Sequence, residues 1–171
     1  MGDFLELAHD RFSCRKFSDR PVEPEKLEKI LEAGIVAPTA KNIQPVRIWA
    51  IESPEALEKA RACTGFHYDA PVILAVGGDP REAWVRPSDG RNYADVDACI
   101  VGTHLMLAAH DLGLRSVWVG WFDAPALKAA FPEMAEYDLV ALFPIGYAAE
   151  NAKLDPRHTK FKPYDELVGR L

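Results

Sequence analysis

Three short segments of this chain gather groups that can bind a phosphate and a polar ring. The first is Arg11-Phe12-Ser13-Cys14-Arg15-Lys16-Phe17. Two guanidinium groups four residues apart, with a hydroxyl between them, can clamp a phosphate. Each arginine offers planar, charge-assisted donors and Ser13 adds a neutral one. Taken alone, the same residues also suit a solvated basic turn. The second is Ala37-Pro38-Thr39-Ala40-Lys41-Asn42-Ile43-Gln44-Pro45. Asn42 and Gln44 each carry donors and acceptors, the mixture that a ring edged with carbonyls and N–H groups needs. A turn in which Asn and Thr bond their own backbone is the other reading. The third is Lys160-Phe161-Lys162-Pro163-Tyr164-Asp165-Glu166-Leu167-Val168. In an extended segment Lys160 and Lys162 project from one side, and in isolation they also fit a solvated tail.

The elements that must position these groups are legible from periodicity and punctuation. Residues 4–9 read as a short helix ahead of the first segment. Pro24 suits a first helical position, and Leu27, Ile30, Leu31 and Ile35 recur at helical spacing; Pro38 closes that helix. Residues 46–51 (VRIWAI) are β-branched and aromatic and predict a strand. Ser53 and Pro54 start a helix to about residue 62. Residues 71–76 are wholly apolar, which predicts a central strand buried on both faces. Residues 81–93 read as a surface excursion. A long helix follows over 94–112, ended by Gly113 as a C′ residue. From 98 to 109 it is apolar nearly all round and must be covered on every side; a second subunit could supply part of that cover. A strand over 114–119, a short helix over 125–131 and a strand over 139–145 complete the pattern. This order predicts an α+β layered fold with a mixed, mainly antiparallel sheet, a doubly wound parallel sheet being the alternative.

The chain has 171 residues, 49% hydrophobic and 27% charged, with a formal net charge of -6. That composition fits one globular domain, 1–171, with 155–171 as a C-terminal arm. The acidic balance argues against nucleic acid or an acidic membrane surface as partner. No apolar run reaches the roughly 20 residues of a membrane span. Residues 1–10 carry acids and no basic region, so no signal peptide is expected. Three widely spaced cysteines, Cys14, Cys63 and Cys99, point to reduced thiols and a cytoplasmic location. No metal site is expected: His104 and His110 stand six apart, off one helical face. There is no GxGxxG and no Walker pattern.

Taken together and in order, the three segments resemble the nitroreductase-like flavoprotein family. That family carries R-x-S-x-R/K after a short helix, then A-P-S/T-x-x-N-x-Q-P, then a basic pair before a P-x-x-E-x-V-like tail. The 105–109 run Leu-Met-Leu-Ala-Ala, Gly113-Leu114, Trp118 and Pro144-Ile145-Gly146-Tyr147 extend the likeness over nearly the whole chain. The resemblance implies a three-layer α/β/α sandwich, an intertwined homodimer and FMN bound at the subunit interface. Arg11, Ser13 and Arg15 would hold the phosphate and ribityl chain, with Lys160 and Lys162 reaching the same phosphate. Pro38, Thr39, Ala40 and Asn42 of the other subunit would line the flavin. Gln44 would line it too, or hold the loop in shape. Gly146 would let backbone approach the ring closely.

The activity implied is an oxidoreductase in which hydride passes from NADH or NADPH through FMN to a nitroaromatic, quinone or similar small electron-poor acceptor, by a ping-pong mechanism. The chemistry belongs to FMN, so no catalytic side chain is required. A flavin-fold lyase or dehalogenase, or a non-catalytic FMN-binding protein, stays open as an alternative. Trp84 in the 81–93 excursion either covers the flavin or packs on the surface. Cys14, beside two arginines, is either a thiol of lowered pKa or a filler. His67 and Tyr68 either approach the flavin or end a loop.

Overall fold

A four-stranded sheet is filled on both faces by helices. β1 (Val46–Ile51), β2 (Val72–Gly78), β3 (Arg115–Ser116) and β4 (Asp138–Gly146) stand in the order β1-β2-β4-β3, every neighbouring pair antiparallel. The computed structural model describes residues 3–171. Among them, one parallel pairing occurs, an isolated bridge between Ser13 and Ser116. The α+β sandwich expected from the sequence is therefore present, and the doubly wound parallel alternative is set aside.

The alternation of β2 explains the layering. All of its residues are buried. Val72, Leu74 and Val76 enter one core with α2 (Pro24–Ile35) and α4 (Ala94–Asp111). Ile73 and Ala75 enter the other, with α3 (Pro54–Ala62) and α5 (Ala124–Ala130). A period of two thus gives a strand apolar on both sides. β4 follows suit, with Ala141, Phe143 and Ile145 facing the α2–α4 core and Leu142 the other.

Local chemistry sets the ends. Ser53 accepts from Ala56 N–H at 3.2 Å ahead of Pro54, a side-chain cap followed by an N1 proline. α4 ends where Gly113 takes φ +79°. Gly113 N–H donates to His110 O and Leu114 N–H to Ala109 O, both at 2.9 Å, which makes a Schellman motif. α2 stops at Ile35, earlier than Pro38 alone requires.

The strand expected over 114–119 is shorter than its composition suggests. β3 holds two residues, and pairing resumes only at Val119, bridged to Leu142. Leu142 N–H donates to Val119 O at 3.0 Å. Two residues further along β4, the next group that would face this edge is Pro144, which has no N–H. The ladder is interrupted there, and Trp118 packs edge-to-face on Phe143, with centroids 4.9 Å apart.

The N-terminal segment is stitched to the far end of the same sheet. α1 (Phe4–Asp10) leads into it. Cys14 N–H donates to Ser116 O at 3.0 Å, Ser18 N–H to Tyr147 O at 2.9 Å and Ala149 N–H to Lys16 O at 3.1 Å. The arginine segment thus lies against the ends of β3 and β4. Residues 155–171 carry one short helix, α6 (Tyr164–Leu167), and are mostly exposed.

Candidate functional site

The N-terminal segment and the tail meet around a cavity of about 250 Å³ lined by Phe12, Ser13, Arg15, Asp155, Arg157 and His158. Asp155 organises it. Its Oδ1 accepts from Arg157 N–H and Nε, both at 2.9 Å, and its Oδ2 accepts from Arg157 Nη2 at 2.7 Å. Arg15 Nη1 lies 3.6 Å from the same Oδ2. A carboxylate thus bridges two guanidinium groups, and the Arg157 hydrogen bonds hold its pKa well below the usual range. His158 Nε2 lies 2.9 Å from His9 O, docking the tail on the end of α1.

Further cations surround this corner. Arg115 sits 5.5 Å over the Phe12 ring. Arg11, at the end of α1, is half-buried and lies outside the lining of the cavity; His110 is pushed down in pKa by burial and then by Arg115. Cys14 is fully buried, its Sγ 3.2 Å from Lys16 O. Burial raises its pKa despite Arg115 and Arg15, so the thiol is a filler and not a nucleophile. Lys160 and Lys162 are exposed and lie outside the lining of the cavity; Lys162 Nζ is 3.7 Å from Glu166. The tail cations brought to the cavity are Arg157 and His158. Two turns, His158 N–H to Asp155 O and Lys160 N–H to Arg157 O, precede the lysine pair.

The second group forms a tight loop. Pro38 is exposed; Thr39 and Ala40 are half-buried. A 3₁₀ turn covers Ala40–Asn42, and Lys41, Asn42 and Gln44 all have positive φ, at 53°, 55° and 58°. Asn42 N–H donates to Thr39 O at 2.9 Å, Gln44 N–H to Thr39 Oγ1 at 3.0 Å and Gln44 Nε2 to Asn42 Oδ1 at 3.1 Å. Gln44 therefore holds the loop in shape. Beneath the loop, Ala40 N–H donates to Asp97 Oδ1 at 2.9 Å. Thr39 and Gln44 edge a hollow of about 410 Å³ with Ile35, Ile48 and Val101. This hollow shares no lining residue with the Arg15 cavity.

Gly146 ends β4 and lines neither cavity. A Cβ there would stand 2.8 Å from Pro71 Cδ and 3.2 Å from Phe17 Cδ1, so packing within this chain already requires a glycine. Its neighbour Tyr147 is anchored from several sides. Its hydroxyl donates to Glu23 Oε2 at 2.7 Å and accepts from Lys26 Nζ at 2.8 Å, while Arg20 lies 3.8 Å over its ring. Trp84 packs on Tyr93 at 4.9 Å and stands 5.9 Å from Lys41 Nζ, so the 81–93 excursion touches the loop. His67 and Tyr68 close a turn, with Ala70 N–H donating to His67 O at 3.1 Å. Among the described residues no cluster of His, Cys, Asp or Glu is arranged to hold a metal ion. No helix among the described residues is long and apolar enough to cross a membrane.

Three residues of these sites carry signals that motif reading passed over. Asp97 is an acid on the otherwise apolar stripe of Val101 and Leu105, at helical spacing. Asp155-Pro156-Arg157 has the Asx-turn signature, which brings the Asp155 and Arg157 side chains together.

The Nitroreductase family model matches residues 8–64 and 58–147. A protein of Methanothermobacter thermautotrophicus, whose name pairs NADH dehydrogenase with NAD(P)H nitroreductase, is 30% identical over 161 residues, 87% of this chain and 79% of its own. The crystal structure of a nitroreductase family protein from Clostridium difficile superposes with a TM-score of 0.91 at 38% identity, covering 98% of each chain. An FMN-dependent nitroreductase from Clostridium difficile shares the fold at a TM-score of 0.80 and 23% identity, covering 97% of this chain and 98% of its own.

Proposed function

The chain belongs to the nitroreductase family, and on that footing we propose that it is an FMN-dependent, NAD(P)H-linked oxidoreductase acting on a small electron-poor acceptor such as a nitroaromatic or a quinone. The observation that carries this reading is the cavity where Arg15 and Arg157 grip one carboxylate. A cradle that holds an internal anion has the donor set that a phosphate needs, planar guanidinium groups with Ser13 beside them. The residues present therefore fit the phosphate of FMN. When bound, FMN supplies the carrier that takes hydride from a nicotinamide and gives it to the acceptor.

The rest is positioning by this chain. Ser13, Arg15 and Arg157 hold the phosphate end, with Asp155 giving way to it. Arg11 and the tail cations Lys160 and Lys162 add positive potential. Pro38, Thr39, Ala40 and Asn42 line the ring from a second copy of the chain, and Gln44 keeps that loop in shape. Tyr147, held by Glu23 and Lys26, fixes the end of β4 beside it. No side chain transfers a proton obligatorily, so turnover rests on geometry and exclusion of water. A homodimer accords with the apolar surface that one chain leaves open. The three free cysteines accord with a cytoplasmic setting.

The test is direct. Protein purified with FMN should be yellow and should bleach on anaerobic addition of NADH or NADPH. A colourless protein that takes up no FMN, or a yellow one that neither nucleotide reduces, overturns the reading.

A further inference from the structure

A buried carboxylate with no part in the proposed chemistry lies beneath the loop that is proposed to line the flavin. Asp97 stands in the first turn of α4 and is 1% exposed. Its Oδ1 accepts the N–H of Ala40 at 2.9 Å, while its Oδ2 is buried with no hydrogen-bond partner. A buried acid with an unsatisfied oxygen is costly. It persists where it does something that an apolar residue cannot.

What it holds is a strained segment. Lys41, Asn42 and Gln44 all adopt the left-handed region, which residues with side chains enter only when their surroundings enforce it. The other hydrogen bonds of 39–44 run within the loop itself: Asn42 to Thr39, Ile43 to Ala40, Gln44 to Thr39 and to Asn42. They shape the loop but do not tie it to the body of the fold. Asp97 does, at the residue where the 3₁₀ turn begins. The helix N-terminus favours an anion there as well.

We infer that Asp97 is a positioning residue that clamps the 39–44 loop in its strained form through Ala40 N–H and so presets the face offered to the flavin. The inference rests on the flavin reading for its function, though the clamp itself belongs to this chain. It acts through Ala40 and needs no contact with the cofactor. Asn can supply the same acceptor oxygen to Ala40; Ala cannot.

The clamp is tested from both sides. Asp97→Ala removes the acceptor. Ala40→Pro removes the donor, at a site where Thr39 is already extended (φ -126°, ψ 160°) and tolerates a following proline. Each variant should weaken FMN binding about tenfold or more, the scale of a lost hydrogen bond to a charged group. The double variant should be no worse than either alone, since both break one interaction. Asp97→Asn should bind FMN within about threefold of wild type and keep its visible absorption spectrum, a rescue that generic core damage would not give. In the flavin-free protein, the Ala40 amide should exchange about tenfold faster in Asp97→Ala than in wild type or Asp97→Asn, while β2 amides are unchanged. Asp97→Ala or Ala40→Pro with wild-type FMN affinity would overturn the proposal, as would unchanged Ala40 exchange. If Asp97→Ala does not fold, Ala40→Pro and Asp97→Asn decide. If the wild type itself binds no FMN, the functional reading falls, and Ala40 exchange alone decides the clamp.

Discussion

Glu23, Tyr147 and Lys26 illustrate how single residues fix the end of the strand beside the candidate site. Glu23 is drawn down from 4.5 to about 2, first by the Tyr147 hydroxyl it accepts from. A carboxyl with a depressed folded-state pKa stabilises the protein fully above its unfolded value and loses that contribution as pH falls toward the folded one. Glu23→Gln should therefore be less stable than wild type at pH 7, and the difference should close between pH 4.5 and about 2. Thermal unfolding of the two proteins across that range checks it; a gap that stays constant down to pH 3 contradicts it. Arg15 and Ser13 stand out in the sequence because their charge and spacing suit a phosphate, and the structure places both on one cavity. Arg157 does not stand out, because its place depends on an Asx turn through Asp155. Asp97 was hidden for a related reason: what it holds lies 57 positions away in the chain.

Periodicity and punctuation revealed most of the elements and could not reveal their interruptions. The two-faced apolar run of β2 and the glycine after α4 translated directly into a central strand and a helix end. The 114–119 strand did not, because its pairing is broken by Pro144 on a different strand. No local pattern encodes which neighbour a proline will face. The helix end offers a clean measurement. Gly113 has φ +79° and open space where a Cβ would stand, so Gly113→Ala meets backbone strain and no clash. It should cost about 1–2 kcal/mol of stability, read from the urea midpoint at unchanged slope. Equal midpoints would show that this turn relaxes freely.

The whole chain leaves apolar surface that its own layers do not cover. Ile35 and Val36 at the end of α2 are 69% and 71% exposed, and Ile43 of the strained loop is 40% exposed. Val96, Ile100 and Leu107 of α4 remain half-buried. Ile35 also lines the hollow edged by Thr39 and Gln44, whereas Val96 and Ile100 line a separate surface hollow with Cys99. The proposed homodimer would cover Ile35 and Val36. Sedimentation should give a dimer at micromolar concentration, and Ile35→Asp should yield a folded monomer with lost FMN affinity. A wild-type monomer that binds FMN tightly would contradict a shared site.

FMN binding as proposed requires a phosphate held between the two ends of one chain. Comparing FMN with riboflavin by fluorescence quenching isolates that phosphate from the ring. The wild type should bind FMN about 100-fold or more tightly than riboflavin, as two charge-assisted contacts imply, and Arg15→Ala with Arg157→Ala should erase the preference. Equal affinity for the two flavins in the wild type, or an undiminished preference in the double variant, would contradict it.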